Sequence, residues 1–174
     1  MKPVNKRGCV YRNAFYEVFK SAQLSGAYTI YYDMDFSKEE LQEFSNKLEE
    51  HNNEEINHNI HLADLRNFAL EKYQFDGPAE AYKFPYRAKL KMYGKKTTPK
   101  SIIDINVAAT DALECYMLLV GYTLHTDYGF TKDQFMKWYE KFVDFCKLYS
   151  DGLTDEHVLE YFIQECNLTI KEED

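Results

Sequence analysis

The sequence predicts a mainly α fold of the α+β class, a helical domain around one long central helix with a minor two-stranded antiparallel sheet. Residues 98–129 indicate the central helix, because the run from Cys115 to Leu124 is apolar on almost every side. Flanking segments repeat apolar residues at helical spacing, and two short segments alternate as strands do. At 174 residues we expect a single domain over residues 1–174, with an N-terminal α/β part over 1–97 and a C-terminal helical part over 98–170.

The N-terminal part begins with a helix over residues 11–24, which places its apolar side chains on one face. Ser25 and Gly26 are expected to end this helix, since both residue types favour turns. Residues 28–34 alternate apolar or aromatic residues with others and predict the first strand, and residues 86–92 predict the second. The two strands are expected to pair in the small sheet.

Two further helices of the N-terminal part are indicated by their boundaries. Ser37 and Glu40 have the spacing of a capping box, which starts a helix. Residues 60–73 resume a helical stripe of apolar side chains. That stripe stops before the turn signal Asp-Gly-Pro at residues 76–78.

The central helix has clear start and stop signals. Thr98 supplies an N-cap oxygen, Pro99 occupies a position where its missing N–H is tolerated, and Gly129 can adopt the left-handed conformation that closes the last turn. Thr131 and Gln134 form another capping box before the next helix. That helix carries a heavy aromatic stripe, which consists of Phe135, Trp138, Tyr139, Phe142, Cys146 and Tyr149.

The formal charge of −8 is unevenly distributed along the chain. Residues 82–100, here called the basic strip, hold seven basic residues and no acidic one, which leaves a balance of −15 elsewhere. Cations interleaved with tyrosines suit phosphate contacts and base stacking, so the strip is a candidate nucleic-acid or partner surface. Its candidate residues are Lys83, Tyr86, Arg87, Lys89, Lys91, Tyr93, Lys95 and Lys96. The alternative is an edge strand that its lysines protect from aggregation.

Several functional classes find no support in the sequence. No N-terminal segment has the basic region and apolar run of a secretory signal, and the longest apolar run is half of the roughly 20 residues that a membrane span needs. The four cysteines are far apart and none lies in a CxxC pair, which fits a reducing cytoplasm. We find no phosphate-binding glycine-rich loop and no nucleophile signature. We therefore expect a cytoplasmic protein with no membrane contact, no cofactor and no catalytic residue.

The most metal-like group is a histidine and glutamate cluster. His51, Glu55 and His58 would share one face if the second helix continued through residue 58, and imidazole with carboxylate suits zinc or iron. A di-iron bundle needs a second Glu-x-x-His motif from another helix, which the sequence lacks. The surrounding asparagines favour the alternative, a solvated helix end, so no metal site is predicted.

Two carboxylate pairs support an alternative function. Glu40 with Glu43, and Asp111 with Glu114, each have the spacing that places both side chains on one helical face. Together they could hold Mg²⁺ for phosphate chemistry, as in an all-α nucleotide phosphohydrolase. Acidic pairs on exposed helix faces are also common without any metal.

The C-terminal part resembles a helical module of small uncharacterised proteins from phages and mobile elements of low-GC Gram-positive bacteria. The residues that carry the resemblance are Leu124, His125, Asp127, Tyr128, Gly129 and Phe130, at a helix-Gly-helix junction. It covers roughly residues 99–170 and brings no catalytic residue with it. The resemblance implies a phage or prophage origin, and phage accessory proteins of this size include anti-CRISPR proteins.

The leading hypothesis is a phage-type accessory protein that acts by binding and inhibits a host nucleic-acid enzyme such as a CRISPR effector nuclease. An acidic, aromatic-rich surface suits the basic groove of such an enzyme. Its partner would be a host protein or nucleoprotein complex in the host cytoplasm. The alternatives are the Mg-dependent phosphohydrolase and a nucleic-acid-binding accessory protein that uses the basic strip.

Overall fold

A computed structural model of the protein describes residues 6–56, 59–94 and 102–166, and within these ranges the chain forms eight α-helices and no strand. The helices are α1 Lys6–Asp33, α2 Lys38–Ile56, α3 Leu62–Tyr73, α4 Gly77–Tyr82, α5 Tyr86–Tyr93, α6 Ile102–Thr126, α7 Lys132–Lys147 and α8 Asp155–Cys166. A 3-10 turn, Leu148–Asp151, joins α7 to α8. The prediction of a mainly α fold is confirmed.

Helix α6 is the centre of the fold, as the sequence predicts. Helices α1 to α5 and α7 all pack against it. Leu113, Met117 and Leu119 are fully buried, because the neighbouring helices cover several sides of α6. Gly129 closes the junction with φ +67°, while Phe130 N–H donates to Leu124 O at 2.9 Å. The expected start at residues 98 and 99 lies outside the described residues.

The predicted two-stranded sheet is wrong. Residues 28–34 continue α1 up to Asp33, and residues 86–92 lie in α5. The alternation in the first segment arises because its aromatic side chains pack on several sides of one helix: Tyr28 stacks on Phe145 of α7 and also contacts Phe162 of α8. In the second segment, the buried Ala88 and Met92 are four residues apart, which is helical spacing.

The expected end of the first helix at Ser25 and Gly26 is also wrong, because α1 runs through both residues. The Ser25 hydroxyl forms a hydrogen bond within the helix, in which Oγ donates to Ser21 O at 2.8 Å. Gly26 faces α6, and a Cβ at this position would lie 1.8 Å from Tyr116 Oη. Gly26 is therefore a site of close helix packing and not a helix terminator.

The two predicted capping boxes are confirmed. Ser37 N–H donates to Glu40 Oε2 at 2.8 Å, and Glu40 N–H donates back to Ser37 Oγ at 3.1 Å. Thr131 and Gln134 form the same reciprocal pair before α7. The turn signal at residues 76–78 starts α4, since Asp76 accepts a hydrogen bond from Ala79 N–H at 3.3 Å.

The aromatic stripe of α7 completes the core. Phe135, Trp138 and Phe142 are fully buried, and the rings of Trp138 and Phe142 stack with centroids 5.2 Å apart. Buried side chains from α1 to α8 belong to one hydrophobic cluster. Among the described residues, no helix has both the length and the apolar character needed to cross a bilayer.

Candidate interaction surfaces

The residues of the basic strip separate into two groups in the folded chain. Lys83, Tyr86, Arg87 and Lys91 are exposed on α5 or just before it. Lys89 and Tyr93 are buried, with 3% and 8% of their surface exposed. Lys95 and Lys96 lie outside the residues that the structure describes. The described part of the basic strip is therefore mostly a helical surface, to which Lys89 and Tyr93 contribute little.

Lys89 points into the protein because α5 packs against the N-terminal half of α6. Its Nζ donates to Thr110 Oγ1 at 2.9 Å and lies 5.9 Å from the ring centroid of Tyr82. Burial lowers the pKa of the Lys89 ammonium. The side chain connects two helices, a role that an alternating strand pattern does not reveal.

The exposed part of the basic strip is a small mixed surface of cations and tyrosines. Arg87 and Lys91 are one helical turn apart on α5 and are both exposed. Lys83 forms an ion pair with Glu80 at 2.5 Å. Tyr82 and Tyr86 are 70% and 41% exposed, so each can offer a ring to a partner. This arrangement permits two phosphate contacts with adjacent stacking.

Helix α2 carries the strongest surface charge in the described part of the chain. It holds seven acidic and two basic residues among nineteen. The exposed acidic residues are Glu39, Glu40, Glu43, Glu49, Glu50 and Glu54, here called the acidic face. Lys47 pairs with Glu50 at 3.0 Å, which offsets little of the total. The sequence analysis predicts an acidic surface without placing it on any helix. The net negative charge of residues 38–56 was the signal that could have located this surface on α2.

Apolar contacts hold the acidic face in a fixed position. Leu41, Phe44 and Leu48 form the buried side of α2 and pack into the core. Near the other end of the helix, His51 lies edge-on to Tyr122, with the ring centroids 5.0 Å apart. The exposed carboxylates therefore lie on the part of α2 that is not packed into the core.

The histidine cluster is a helix contact in this structure. His51 Nδ1 lies 3.2 Å from Glu54 Oε2, and His51 Nε2 lies 2.9 Å from Asp127 Oδ2. Both ring nitrogens thus have protein partners, and the second joins α2 to the end of α6. His58 lies outside the described residues, and within them no group of three histidine, cysteine or acidic side chains has the arrangement of a metal site.

The two carboxylate pairs do not come together. Glu40 and Glu43 lie on the first turns of α2, where their charges act on Tyr128 beyond the end of α6. Asp111 lies far from that end of α6 and accepts a hydrogen bond from Tyr11 at 2.6 Å. At a rise of about 1.5 Å per residue, Asp111 is about 22 Å along the helix axis from Thr126. One Mg²⁺ ion cannot bridge that distance, since its oxygen ligands lie at about 2.1 Å.

Glu114, the last of these carboxylates, has a structural partner. It is buried and forms a bidentate ion pair with Arg66 of α3, in which Arg66 Nη2 lies 3.0 Å from Glu114 Oε2. This hydrogen bond raises the pKa of the Arg66 guanidinium. The pair fastens α3 to α6 and leaves Glu114 fully engaged.

A cavity of about 300 Å³ lies between the N-terminal half of α1, the C-terminal end of α2 and the middle of α6. Its lining includes Tyr11, Phe15, Phe19, Asn52, Glu55 and Cys115. Cys115 is 7% exposed, and burial raises the pKa of its thiol to about 12. Sequence reasoning missed this cavity because its residues come from three separate segments.

The junction between α6 and α7 has the local structure that its sequence suggests. His125 Nδ1 lies 3.1 Å from Phe130 O, so the imidazole closes the turn that Gly129 permits.

No protein-family model, no curated protein and no solved structure matches this chain. The resemblance to phage and mobile-element proteins stays a prediction.

Proposed function

We propose that this chain is a phage-type accessory protein that inhibits a host nucleic-acid enzyme, such as a CRISPR effector nuclease, by occupying its nucleic-acid groove. The acidic face of α2 is the observation that supports it. Grooves that bind nucleic acid are lined with lysine and arginine, which contact phosphates. Carboxylates repeated along a helix present a comparable series of negative charges to such a groove.

The packing of α2 against the core supports the proposal further. An ordered helix loses little conformational freedom on binding, so more of the electrostatic attraction appears as affinity. Opposite charges also accelerate encounter, and they discriminate against partners that are themselves acidic. A host protein or nucleoprotein complex with an exposed basic groove is the expected partner.

The test measures DNA binding and cleavage by purified, guide-loaded CRISPR effector nucleases from Gram-positive bacteria in the presence of this protein. The parent should inhibit both steps, and inhibition should weaken as salt increases. The variant Glu43→Gln, Glu49→Gln and Glu50→Gln should require about tenfold more protein for half-inhibition.

The matched control removes the same charge from other exposed sites, by Glu71→Gln, Glu140→Gln and Glu160→Gln on α3, α7 and α8. This control should inhibit almost as well as the parent. Equal loss in both triple variants would attribute the effect to net charge and contradict a role for α2. If none of these effector nucleases is inhibited, a pull-down from Gram-positive lysate extends the test, with and without digestion of the nucleic acid in the lysate. Recovery of no host protein in either case would contradict the proposed inhibitor function.

The exposed part of the basic strip supports a second candidate function, direct nucleic-acid binding. Replacing Arg87 and Lys91 together by glutamine should flatten the dependence of log affinity on log salt by about one to two units. Lys20→Gln with Lys137→Gln, two exposed lysines on α1 and α7, is the control and should leave the slope nearly unchanged. Absence of any salt-dependent oligonucleotide binding at about 50 mM salt excludes this candidate.

A further inference from the structure

We propose that the contact between α1 and α8 is a site of oxidative modification, where Tyr28 and Tyr161 are joined as an intramolecular dityrosine that fixes α8 to α1. The site belongs to a tyrosine cluster, which consists of Tyr28, Tyr31 and Tyr32 on α1 and Tyr161 on α8. The oxidant is hydrogen peroxide acting through a haem peroxidase. This inference is independent of the proposed function.

The rings of the tyrosine cluster are already in contact across the two helices. The centroid of the Tyr161 ring lies 5.4 Å from that of Tyr28 and 5.3 Å from that of Tyr32. Tyr28 and Tyr32 are one turn apart on α1, with centroids 4.5 Å apart. These distances are normal for packed aromatic pairs. Coupling of two of these phenols therefore needs only small side-chain adjustments.

The hydroxyl groups favour Tyr28 as the partner of Tyr161. Burial, followed by the neighbouring Tyr161 hydroxyl, raises the pKa of the Tyr28 hydroxyl to about 12. Dityrosine forms between Cε atoms, which are the ring carbons beside the carbon that carries the hydroxyl. Because the two hydroxyls are close enough to affect each other, the Cε atoms beside them are also close.

The surface position of Tyr161 gives an oxidant access to the cluster, since 37% of this residue is exposed while Tyr28 is half-buried. Each phenol gives up one electron and its hydroxyl proton, and the two radicals couple through their Cε atoms. Both coupled carbons then lose their ring protons, and protons return to the two oxygens. Overall, two C–H bonds break, one C–C bond forms, and one hydrogen peroxide is reduced to two water molecules.

Proximity favours this internal link over links between molecules. Coupling of two groups in contact is effectively unimolecular, so its yield should not depend on protein concentration. Tyr16 and Tyr82 are more exposed, and links between molecules through such residues should decrease as the protein is diluted. The internal link would attach α8 covalently to α1, the helix against which α8 makes its main contacts.

The experiment treats the full chain with a haem peroxidase and limiting hydrogen peroxide at two protein concentrations, followed by trypsin digestion and mass spectrometry. Trypsin cleaves after lysine and arginine, so Tyr28 lies in the peptide of residues 21–38 and Tyr161 in the peptide of residues 148–171. We expect these peptides to be joined in the monomer fraction, with a mass lower than their sum by two hydrogen atoms. Absence of this joined pair from the monomer would overturn the inference.

Variants that keep each ring and remove one hydroxyl identify the two tyrosines. Tyr28→Phe and Tyr161→Phe should each lower the yield of the joined pair by about tenfold or more, because a phenylalanine ring forms no phenoxyl radical beside its partner. The control Tyr16→Phe removes a hydroxyl from an exposed site elsewhere on α1 and should leave the yield unchanged. Full yield in Tyr28→Phe or Tyr161→Phe, or an equal loss in Tyr16→Phe, would contradict the assignment.

Thermal melting tests whether the link fixes α8 to α1. The oxidised parent monomer should melt at a higher temperature than the oxidised Tyr161→Phe monomer, because a link between positions 28 and 161 restricts the unfolded chain. Comparing the two oxidised proteins separates this effect from oxidation of other side chains. If the linked parent melts no higher than oxidised Tyr161→Phe, the attachment of α8 to α1 by this link is wrong.

Discussion

Gly26 is the residue at which α1 comes closest to the central helix. A Cβ at this position would lie 1.8 Å from Tyr116 Oη and 2.6 Å from Tyr116 Cζ. The Tyr116 ring is 1% exposed and lies edge-on to Phe19, so it has no open space into which to move. We expect Gly26→Ala to lower the free energy of unfolding by about 1–3 kcal/mol, measured by urea denaturation.

The control for Gly26→Ala is the double variant with Tyr116→Phe. Removing the hydroxyl takes away the closest atom, so part of the lost stability should return. An unchanged urea midpoint for Gly26→Ala would contradict the close packing of α1 on α6.

Lys89 is a second residue whose surroundings differ from those its sequence position suggests. Because its folded pKa is lowered, the folded state binds fewer protons than the unfolded chain between the two pKa values, and stability rises with pH across that window. Lys89→Met keeps the volume and removes the buried charge, while Thr110 Oγ1 still donates to Asn106 O. We expect a gain of about 1–2 kcal/mol near pH 7 that shrinks as pH approaches about 10.5.

Lys91→Met is the matched control for Lys89→Met, since Lys91 is exposed on the same helix. It should change stability by no more than about 0.5 kcal/mol at either pH. Chemical denaturation at neutral and alkaline pH makes the comparison. A Lys89→Met variant that is less stable at pH 7, or a gain that does not depend on pH, contradicts the burial of this ammonium.

At the scale of elements, Asp155 joins α8 to α1 and to the preceding 3-10 turn. Its carboxylate accepts hydrogen bonds from Tyr149 Oη at 2.7 Å and from Ser21 Oγ at 2.8 Å. Burial raises the Asp155 pKa above its ordinary value of 3.8, so the folded state keeps this proton to a higher pH than the unfolded chain does. The stability that the protonated form contributes is lost as pH rises through the raised pKa.

Asp155→Asn should remove this part of the pH dependence, so its stability relative to the parent should improve between pH 3.8 and neutrality. Asp155→Ala deprives the Tyr149 hydroxyl of its acceptor and should cost about 1–3 kcal/mol. Thermal unfolding across this pH range measures both effects, with exposed Glu160→Gln on the same helix as the control. A parallel pH profile for Asp155→Asn and the parent contradicts this account.

Elements with strong boundary signals could be predicted from the sequence. The central helix and α7 were recognised because glycine, capping residues and long apolar stripes agree in each. The segments at residues 28–34 and 86–92 were wrongly predicted as strands. Bulky side chains on several sides of a helix also produce an alternation of apolar and other residues in the sequence. Only the neighbours of Tyr28 on α7 and α8 reveal that a helix is covered there.

The candidate surfaces were less predictable than the fold. Net charge indicated an acidic molecule, but the burial of Lys89 depends on Thr110, which is 21 positions away in sequence. The cavity likewise needs α1, α2 and α6 to be placed side by side. Contacts of this kind follow from tertiary packing, and spacing within one segment carries no information about them.

At the scale of the whole molecule, the acidic and basic surfaces lie on different sides of α6. Lys89 of α5 contacts Thr110, whereas Glu55 of α2 and Cys115 line one cavity. Thr110 and Cys115 are five residues apart, which corresponds to a rotation of about 140° around a helix with 3.6 residues per turn. A partner of the acidic face therefore need not meet the exposed cations of α5, so the two functional candidates can be tested independently.

The dependence of the whole fold on α6 gives the last prediction. Leu118 is 1% exposed in the middle of this helix and contacts the α4 region, where its Cδ2 lies 3.0 Å from the position that a Cβ on Gly77 would take. Leu118→Asp places an unpaired charge among helices that all rely on α6, so we expect a loss of about 3–5 kcal/mol and cooperative melting at a much lower temperature. Ile103→Asp is the control, because Ile103 lies on the same helix but is 74% exposed, and it should shift stability by no more than about 0.5 kcal/mol. Differential scanning calorimetry compares the two variants, and a Leu118→Asp protein that melts within a degree or two of the parent would show that α6 is not the centre of the core.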